Sequence, residues 1–329
     1  MRWIVKRAIT LLTTFYIAIT LTFFLIRLMP GNPIDVMINQ YMQQGMSMEQ
    51  AKILVSSLYQ IDFSKPAWEQ YIEYLQLIFR GNLGVSYIYT GVPVARIISY
   101  ALPWTVFLLS ISITLSFMLG MILGMFAAYR RNTKSDHTIT ILSTITNAIP
   151  NYVLALIFLF FFACVWKIFP MRGTRDPRIP PGFTFEFISN VFYHAALPIF
   201  SFFITTVGSW ILQMRGATIS VLGEDYIKVA EARGLKGRRI MFSYVGRNAI
   251  IPLFTRLAIA IGYMFSGSVL IENIFTYTGI GYYLTYSVTA RDYPLMQGCF
   301  LITTLAIILS NFIADLLYGF LDPRVRIER

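Results

Sequence analysis

The sequence is poor in charged residues and in the residue types on which disulfides and metal sites are built. Charged residues account for 13% of the 329 residues and hydrophobic residues for 56%, whereas soluble domains carry about 25% charged residues. The two cysteines, Cys164 and Cys299, lie inside apolar runs, where they provide neither a disulfide framework nor metal-ligand spacing. These shortages exclude an ordinary soluble domain, because a protein core alone cannot absorb so many apolar side chains.

Sequence motifs of common enzyme classes are also missing. The two histidines, His137 and His194, are far apart and lie outside any HExxH pattern, and neither a G-x-S-x-G nucleophile elbow nor a G-x-x-x-x-G-K-[ST] phosphate loop occurs. Residues 279–281 (Gly-Ile-Gly) are followed by Tyr282 and not by an aspartate, so they give no aspartyl-protease-like site in a membrane. We therefore expect no catalytic residue, no cofactor, no metal ion and no enzymatic activity in this chain.

Positive charge is in excess, but it does not gather on one soluble face. The chain has 27 Lys and Arg residues against 16 Asp and Glu residues, which gives a formal net charge of +11. The basic residues lie at the ends of apolar runs, which is the pattern that sets the orientation of membrane helices. The expected surroundings of this protein are therefore a lipid bilayer, and nucleic acid is not an expected partner.

Six apolar segments are long enough to cross a bilayer, near residues 8–28, 102–128, 139–169, 194–214, 249–271 and 295–319. The first lacks a signal-peptide cleavage site and is interpreted as an uncleaved span. The third is too long for one straight helix, and Pro150 predicts a kink or break within it. Gly120 and Gly124 form a small-xxx-small pair that would allow close helix contact. The sequence predicts an all-α polytopic membrane protein with about six transmembrane helices.

The distribution of Lys and Arg predicts the orientation of these spans. Dense basic segments lie at residues 1–7, 129–137 and 215–248 and after residue 319, all on the same side of the six spans. By the positive-inside rule this side is cytoplasmic, so both termini are expected in the cytoplasm.

The segment at 29–98, between the first two spans, is the one large piece expected outside the membrane. Ser47 and Gln50 form a capping box that predicts a short helix. A second helix is predicted from Lys65 to Phe79, with Ser64 as its cap and Pro66 in its first turn. An apolar stripe on this helix packs against the spans, rests on the membrane interface or binds solute; it consists of Trp68, Tyr71, Ile72 and Leu75.

A basic segment between the fourth and fifth spans has the pattern of two short helices. The first is predicted to begin at about Glu224, with acidic residues in its first turn and Arg233 in its last, which suits the helix dipole. Gly234 is a natural C-terminal stop, and a second helix is predicted from about Arg238. The hairpin at 224–239 either docks into a groove on a partner protein or is a solvated basic loop that only fixes topology. The spacing alone does not decide between these hypotheses.

Residue motifs along the whole chain carry a resemblance to a known family. The hairpin has Tyr226-Ile227-x-x-Ala230-x-Ala232-x-Gly234-Leu235, followed by Arg247-Asn248-Ala249-x-x-Pro252. Elsewhere the chain has Pro30-Gly31-Asn32-Pro33, Gly81-Asn82-Leu83-Gly84-Val85-Ser86-Tyr87, Pro93-Val94, Glu272-Asn273-Ile274-Phe275, Gly279-Ile280-Gly281, Arg291-Asp292-Tyr293-Pro294 and Asp322-Pro323-Arg324. In these motifs the chain resembles the permeases of binding-protein-dependent ABC importers, in their dipeptide/oligopeptide/nickel branch. It departs from them at Asn32 and Asn82, where that branch has acidic residues.

This resemblance implies the fold of a type I ABC importer permease and a set of partner proteins. The chain would divide into a first transmembrane helix (1–28), an extracytoplasmic segment (29–98), a five-helix permease core that includes the hairpin (99–319) and a cytoplasmic tail (320–329). The implied partners are a second homologous permease, two cytoplasmic ATPase subunits that bind ATP and Mg, and an extracytoplasmic solute-binding protein. The implied location is the plasma (inner) membrane of a prokaryote.

The resemblance also implies a function, ATP-driven import of peptides by alternating access. The residues expected to couple the chain to an ATPase are Glu224, Asp225, Tyr226, Ala230, Glu231, Ala232, Arg233, Gly234 and Leu235. Because a broken helix inside a bilayer should face a cavity, the expected lining of the solute path is Asn147, Pro150, Asn151 and Tyr152. Oligosaccharides and nickel are alternative solutes, and an ATP-independent channel or secondary carrier is the alternative class of protein.

Two ionisable residues, Arg256 and Asp315, lie within predicted spans near the cytoplasmic face. A structural ion pair or snorkelling towards the interface is favoured over a role in the solute path.

Overall fold

Helices form most of the part of the chain that the structure describes. The computed structural model describes residues 2–29, 38–39, 41–59, 65–89 and 91–321, with side chains for all of these except 2–4, 56–59, 255, 267, 315 and 317–321. Within these ranges, β structure is limited to one bridge between Val85 and Pro93. The all-α prediction is therefore confirmed. The motifs at 30–33 and 322–324, with most of the predicted tail 320–329, lie outside the described residues.

The helices are numbered here in chain order. They are α1 (Arg2–Arg27), α2 (Met48–Tyr59), α3 (Ala67–Phe79), α4 (Val94–Tyr129), α5 (Lys134–Ala148), α6 (Asn151–Val165), α7 (Phe185–Leu222), α8 (Asp225–Ala232), α9 (Gly237–Ala249), α10 (Ile251–Ile274), α11 (Ile280–Ala290) and α12 (Tyr293–Leu321). The second half of α6 and the middle of α9 are wound as π-helix, over Leu159–Val165 and Ile240–Gly246.

In the described part of the chain, four helices are long and apolar enough to cross a membrane: most of α1, all of α4 and α7, and α12 as far as Ala314. Two bent helix pairs bring the number to six if each pair is one span: α5 with α6, bent by 92°, and α9 with α10, bent by 42°. The predicted break at Pro150 is confirmed, because Pro150 is extended (ψ 138°) and separates α5 from α6. The prediction of about six spans agrees with this architecture.

Glycines let α4 and α7 cross at very short distance. A Cβ atom added at Gly120 would lie 2.3 Å from the Cβ of Trp210, and one at Gly124 would lie 2.6 Å from the Cβ of Met214. A Cβ atom added at Gly208 of α7 would likewise lie 2.3 Å from the backbone carbonyl oxygen of Ser143 in α5. The small-xxx-small pair predicted from the sequence is therefore a real contact between helices, and it fixes α4 and α7 as the centre of the bundle.

The two short helices between α1 and α4 follow the predicted pattern with one correction. The Ser47 Oγ accepts from the N–H of Gln50 at 3.3 Å, and the Gln50 side chain accepts from the N–H of Ser47 at 3.2 Å, so the capping box is confirmed. The prediction that α3 begins at Lys65 is wrong, because α3 begins at Ala67 after an extended Pro66. Ser64, its predicted cap, lies outside the described residues.

The apolar stripe on α3 divides into a packed and an exposed part. The hydroxyl of Tyr71 lies 2.6 Å from the Thr20 Oγ1, and its ring contacts the buried ring of Phe23 in α1. Trp68 and Ile72 remain exposed, at 60% and 45% of their surface. Packing against the first span is therefore confirmed for Tyr71 and is wrong for Trp68 and Ile72.

Candidate functional site: the α8–α9 hairpin and the α7–α10 groove

The turn between α8 and α9 depends on one glycine. Helix α8 has Asp225 in its first turn and ends at Ala232. Arg233, which was predicted in the last turn, lies one residue beyond the end of the helix. Gly234 follows with φ +74°, a left-handed conformation that side chains disfavour. The N–H of Gly234 donates to the carbonyl of Glu231 at 2.9 Å, which closes the end of the helix. The predicted stop at Gly234 is confirmed.

The α8–α9 hairpin, residues 224–249, is a packed unit with an inner and an outer face. Ile227 and Ala230 of α8 are buried together with Ile240, Met241 and Val245 of α9. The outer face exposes Tyr226, at 41% of its surface, together with Glu224, Asp225, Glu231, Ala232 and Arg233. Ala230 therefore packs inside the hairpin and is not on its outer surface, while most of the other residues expected to couple to an ATPase are exposed.

Close contacts join this hairpin to the end of α4. A Cβ atom at Gly237 would lie 2.6 Å from the hydroxyl oxygen of Tyr129, the last residue of α4. Gly246 lies against the sulfur of Met125, at 3.1 Å from an added Cβ. The hairpin is therefore in contact with α4, and its second helix, α9, leads into α10.

A buried ion pair joins α5 to α7 near the same end of the bundle. The Arg215 guanidinium donates to both carboxylate oxygens of Asp136, at 2.6 and 2.8 Å, and Asp136 is 1% exposed. The N–H of Asn132 also donates to this carboxylate, at 3.1 Å. In the sequence, Arg215 stands out only as one of the basic residues that indicate orientation, and no local pattern predicts its pairing with Asp136.

A groove with a volume of about 520 Å³ runs between α7, α10 and the break between α5 and α6. It is called the α7–α10 groove, and its lining residues are Asn147, Asn151, Phe202, Thr205, Thr206, Ser209, Trp210, Gln213, Arg256, Ile259, Ala260, Tyr263 and Met264. Two of the four residues expected to line a path, Asn147 and Asn151, belong to this lining. Pro150 lies between them in sequence at the start of α6, and Tyr152 is 42% exposed; neither lines the groove.

The two ends of the α7–α10 groove differ in chemistry. Towards the α8–α9 hairpin, the Arg256 guanidinium donates to the Gln213 Oε1 at 3.1 Å, and the Gln213 amide donates to the Ser209 hydroxyl at 2.8 Å. Away from the hairpin, the lining is formed by Phe202, Tyr263 and Met264. Arg256 therefore faces the polar end of the groove, and Asp315, its proposed ion-pair partner, lies outside the described side chains.

A sequence signal for this lining exists but was not used. Thr205, Ser209 and Gln213 follow each other at four-residue intervals in an otherwise apolar helix. Residues four apart lie on one face of a helix, and polar residues in a membrane span usually face a cavity or another helix. This polar stripe could have predicted α7 as one wall of a path.

A buried glutamate closes the corner between α10 and α11, at the end of the bundle away from the hairpin. The Glu272 carboxyl group is 0% exposed and accepts from the Thr105 hydroxyl and the N–H of Gly281, both at 2.8 Å. The Thr105 hydroxyl in turn accepts from the N–H of Ile280 at 2.8 Å. These hydrogen bonds give Glu272 and the 279–281 motif a structural role. Glycine suits position 281 because a Cβ there would lie 2.4 Å from the Val269 Cα.

A buried aspartate ties the loop before α4 to the start of α12. The Asp292 carboxylate accepts from the Ser86 hydroxyl at 2.5 Å and from the N–H groups of Tyr87 and Ile88 at 2.9 and 3.1 Å. It also accepts from the N–H of Leu295 in the first turn of α12, at 3.1 Å. The motif at 81–87 and the motif at 291–294 are therefore two halves of one contact.

An exposed ion pair marks the loop between α6 and α7. The Arg178 guanidinium donates to the Asp176 carboxylate at 2.7 Å, and these hydrogen bonds lower the pKa of Asp176 to about 2. Asp176 is therefore ionised throughout the physiological pH range.

Comparison with known proteins places the chain in a family. The model of the family described as binding-protein-dependent transport system inner membrane component matches residues 120–327. The chain is 31% identical to a di/tripeptide transport system permease protein of Pseudomonas aeruginosa and 30% identical to a dipeptide transport system permease protein of Lactococcus lactis, each over 99% of both chains. It is 31% identical to an oligopeptide transport system permease protein of Bacillus subtilis, over 93% of both chains. The chain belongs to the family of inner membrane components of binding-protein-dependent transport systems.

Proposed function

We propose that this chain is the permease subunit of an ATP-driven peptide importer, in which it forms half of the path by alternating access. The observation that carries the proposal is the continuity between the hairpin and the groove. Helix α9 leads across the 42° bend into α10, and Arg256 of the groove is the sixth residue of α10. At 1.5 Å per residue, Arg256 lies about 8 Å from the start of α10.

The coupling proposed here is mechanical. The exposed face of the α8–α9 hairpin sits on an ATPase subunit, and closure of the ATPase pair displaces the hairpin as one body. Because the hairpin packs against Tyr129 and Met125 and leads into α10, this displacement moves α4 and α10 together. A packed interface responds to such a push by switching between two arrangements, and these open the groove to one side of the membrane at a time.

The proposal includes partners and an orientation. A second homologous permease covers the groove, two cytoplasmic ATPases bind ATP and Mg, and an extracytoplasmic binding protein delivers the solute. The basic hairpin and both termini lie in the cytoplasm of a prokaryote, as the positive-inside rule requires. This chain has no phosphate loop in its sequence and contributes no chemical step.

Peptides are the favoured solutes because the three relatives named above are described as permeases for dipeptides, di/tripeptides and oligopeptides. Oligosaccharides and nickel are the alternatives within the same machinery. A groove about 520 Å³ in volume, with one polar and one aromatic end, suits a short peptide better than a single metal ion.

The proposal is tested by reconstituting the complete transporter in vesicles, with ATP supplied on the ATPase side and the loaded binding protein on the other. We expect labelled peptide to accumulate only when both are present, and we expect this chain alone to hydrolyse no ATP. Accumulation of peptide without ATP would overturn the proposal in favour of a channel or secondary carrier. ATP-dependent uptake of an oligosaccharide or nickel, without peptide uptake, would retain the machinery and replace the solute.

A further inference from the structure

The groove contains a cation that no carboxylate neutralises within the described part of the chain. Arg215, two residues beyond Gln213 in α7, donates from Nε and Nη2 on one edge of its guanidinium to the two carboxylate oxygens of Asp136. Arg256 makes no such pair with any described residue, and its one described hydrogen bond goes to the neutral Gln213. None of the described residues that line the groove is acidic. An arginine within a span is costly unless it faces water, a carboxylate partner or another charged ligand.

The surroundings of Arg256 hold its side chain in place for such a ligand. The Gln213 amide group donates to Ser209 at 2.8 Å, which directs its carbonyl oxygen to Arg256. One guanidinium nitrogen is engaged by this contact. A guanidinium has five N–H donors, so donors remain for an anion, and paired donors favour a planar carboxylate. The amides of Asn147 and Asn151 lie on the other wall of the same groove.

We propose that Arg256 binds the C-terminal carboxylate of a peptide during its passage, with Gln213 as the residue that positions the guanidinium. This inference rests on the proposed function of the chain in peptide import. A free carboxylate is common to all unmodified linear peptides, so one fixed cation serves peptides of different sequence. The positive charge of Arg256 also offsets the free-energy cost of moving the peptide carboxylate out of bulk water.

The remaining length of the groove suits the rest of a peptide. Eleven helical steps separate Gln213 from Phe202 in α7, which corresponds to about 17 Å. An extended chain of about five residues has this length. At the aromatic end, Tyr263 is 75% exposed and offers its ring to peptide side chains without selecting their charge.

The test uses the complete transporter in vesicles and a dipeptide that carries a photoreactive side chain and a free C-terminus. Arg256→Gln is compared with Arg256→Lys, which keeps the charge, and with Arg96→Gln, an exposed arginine at the far end of α4. We expect Arg256→Gln to lower both the uptake rate and the crosslinking of peptide to the groove by about tenfold, as for loss of a charged hydrogen bond. Arg256→Lys should retain most of both, and Arg96→Gln should match the parent.

The outcomes separate this inference from the proposed function and from a lipid site. If the parent transporter takes up no peptide with ATP, the proposed function fails. If the parent transports and Arg256→Gln matches it in uptake and crosslinking, the carboxylate site is wrong.

A lipid phosphate offers the same anionic oxygens, so the comparison is repeated in vesicles of zwitterionic lipid alone and with added anionic lipid. A defect that exists only with anionic lipid would overturn the peptide site and assign Arg256 to a lipid headgroup.

Discussion

Single residues set how closely the long helices approach each other and how their corners are closed. Gly120 and Gly124 bring the backbone of α4 onto α7, where any Cβ would overlap Trp210 or Met214. At the opposite end, Thr105 of α4 both donates to Glu272 and accepts from Ile280. Substitution of any of these residues would disturb a specific contact. Each position can therefore be tested against a matched control variant.

Gly120→Ala should destabilise the folded protein by about 1–3 kcal/mol, because overpacking forces α4 and α7 apart. The added methyl group would lie 2.3 Å from the Trp210 Cβ. Gly216→Ala in α7 is the control, since nothing lies within 4 Å of its added Cβ. This change should be neutral or stabilising by up to about 1 kcal/mol, as alanine favours helix. Thermal unfolding of the purified variants in detergent measures both effects, and equal unfolding temperatures would contradict the close crossing.

Thr105→Val should lower stability by about 1–3 kcal/mol, because the Glu272 carboxyl loses a donor and the N–H of Ile280 loses its acceptor in a buried site. Thr105→Ser keeps the hydroxyl group and should lie close to the parent. The two variants are compared by thermal unfolding and by limited proteolysis between α10 and α11. If the valine variant were as stable as the parent and the serine variant unfolded at a lower temperature, packing of the methyl group, and not the hydrogen bonds, would hold this corner.

The local features of the fold could be predicted from the sequence, whereas the pairings between helices could not. The stop at Gly234, the break at Pro150 and the capping box at Ser47 depend on residues adjacent in sequence. The pair formed by Asp136 and Arg215 joins residues 79 apart, and the contact between Gln213 and Arg256 joins residues 43 apart. Such pairs depend on how helices pack, which no local pattern specifies. The start of α3 was misplaced because a residue before proline, here Lys65, is disfavoured in helix.

At the scale of elements, the bend between α9 and α10, where the α8–α9 hairpin ends, and the α5–α6 break interrupt two candidate spans in the described part of the chain. The hairpin has its own buried cluster, so it can move as a body. The break places Asn147 and Asn151 on the groove at a 92° bend. In the proposed mechanism, the hairpin receives movement from an ATPase, and the α5–α6 break faces the cavity that this movement opens.

Gly234→Val should leave membrane insertion normal, weaken association with the ATPases and reduce transport to near background. Nothing lies within 4 Å of a Cβ at Gly234, so the defect comes from its φ of +74° and not from a clash. The left-handed conformation costs a β-branched residue about 1 kcal/mol or more, and relief of this strain redirects α9. Membrane abundance, co-purification of the ATPases and peptide uptake are measured together.

Two controls accompany this hairpin variant. Gly234→Asn should retain much of the activity, because asparagine tolerates the left-handed conformation. Lys236→Ala should be mild, because a single exposed charge is worth less than about 1 kcal/mol. Normal assembly and transport by Gly234→Val would show that the hairpin is not the coupling element.

At the scale of the whole molecule, the orientation in the membrane connects the charge pattern to the proposed direction of transport. We expect Trp68→Cys and Asp176→Cys to react with an impermeant thiol reagent in intact cells, whereas Arg131→Cys and Lys236→Cys should react only after the membrane is opened. These variants are made in a cysteine-free background, in which Cys164 and Cys299 are replaced by alanine. Alanine is chosen because Cys299 is buried in the core, where an added polar group is not tolerated. Reaction of Lys236→Cys from outside would reverse the orientation.

Alternating exposure of the α7–α10 groove is the most direct consequence of the proposed mechanism. Thr206 lines the groove, and its hydroxyl bonds only to carbonyl groups of its own helix within the described residues, so cysteine replaces it with little disturbance. The measurement is the labelling of Thr206→Cys from each side of the membrane, in the complete transporter and the same cysteine-free background, without nucleotide and with ATP bound but not hydrolysed. We expect labelling from one side without nucleotide and from the opposite side with ATP, and no exchange of sides when Gly234→Val is added. Labelling from both sides at once, or from the same side in both states, would contradict alternating access driven by ATP.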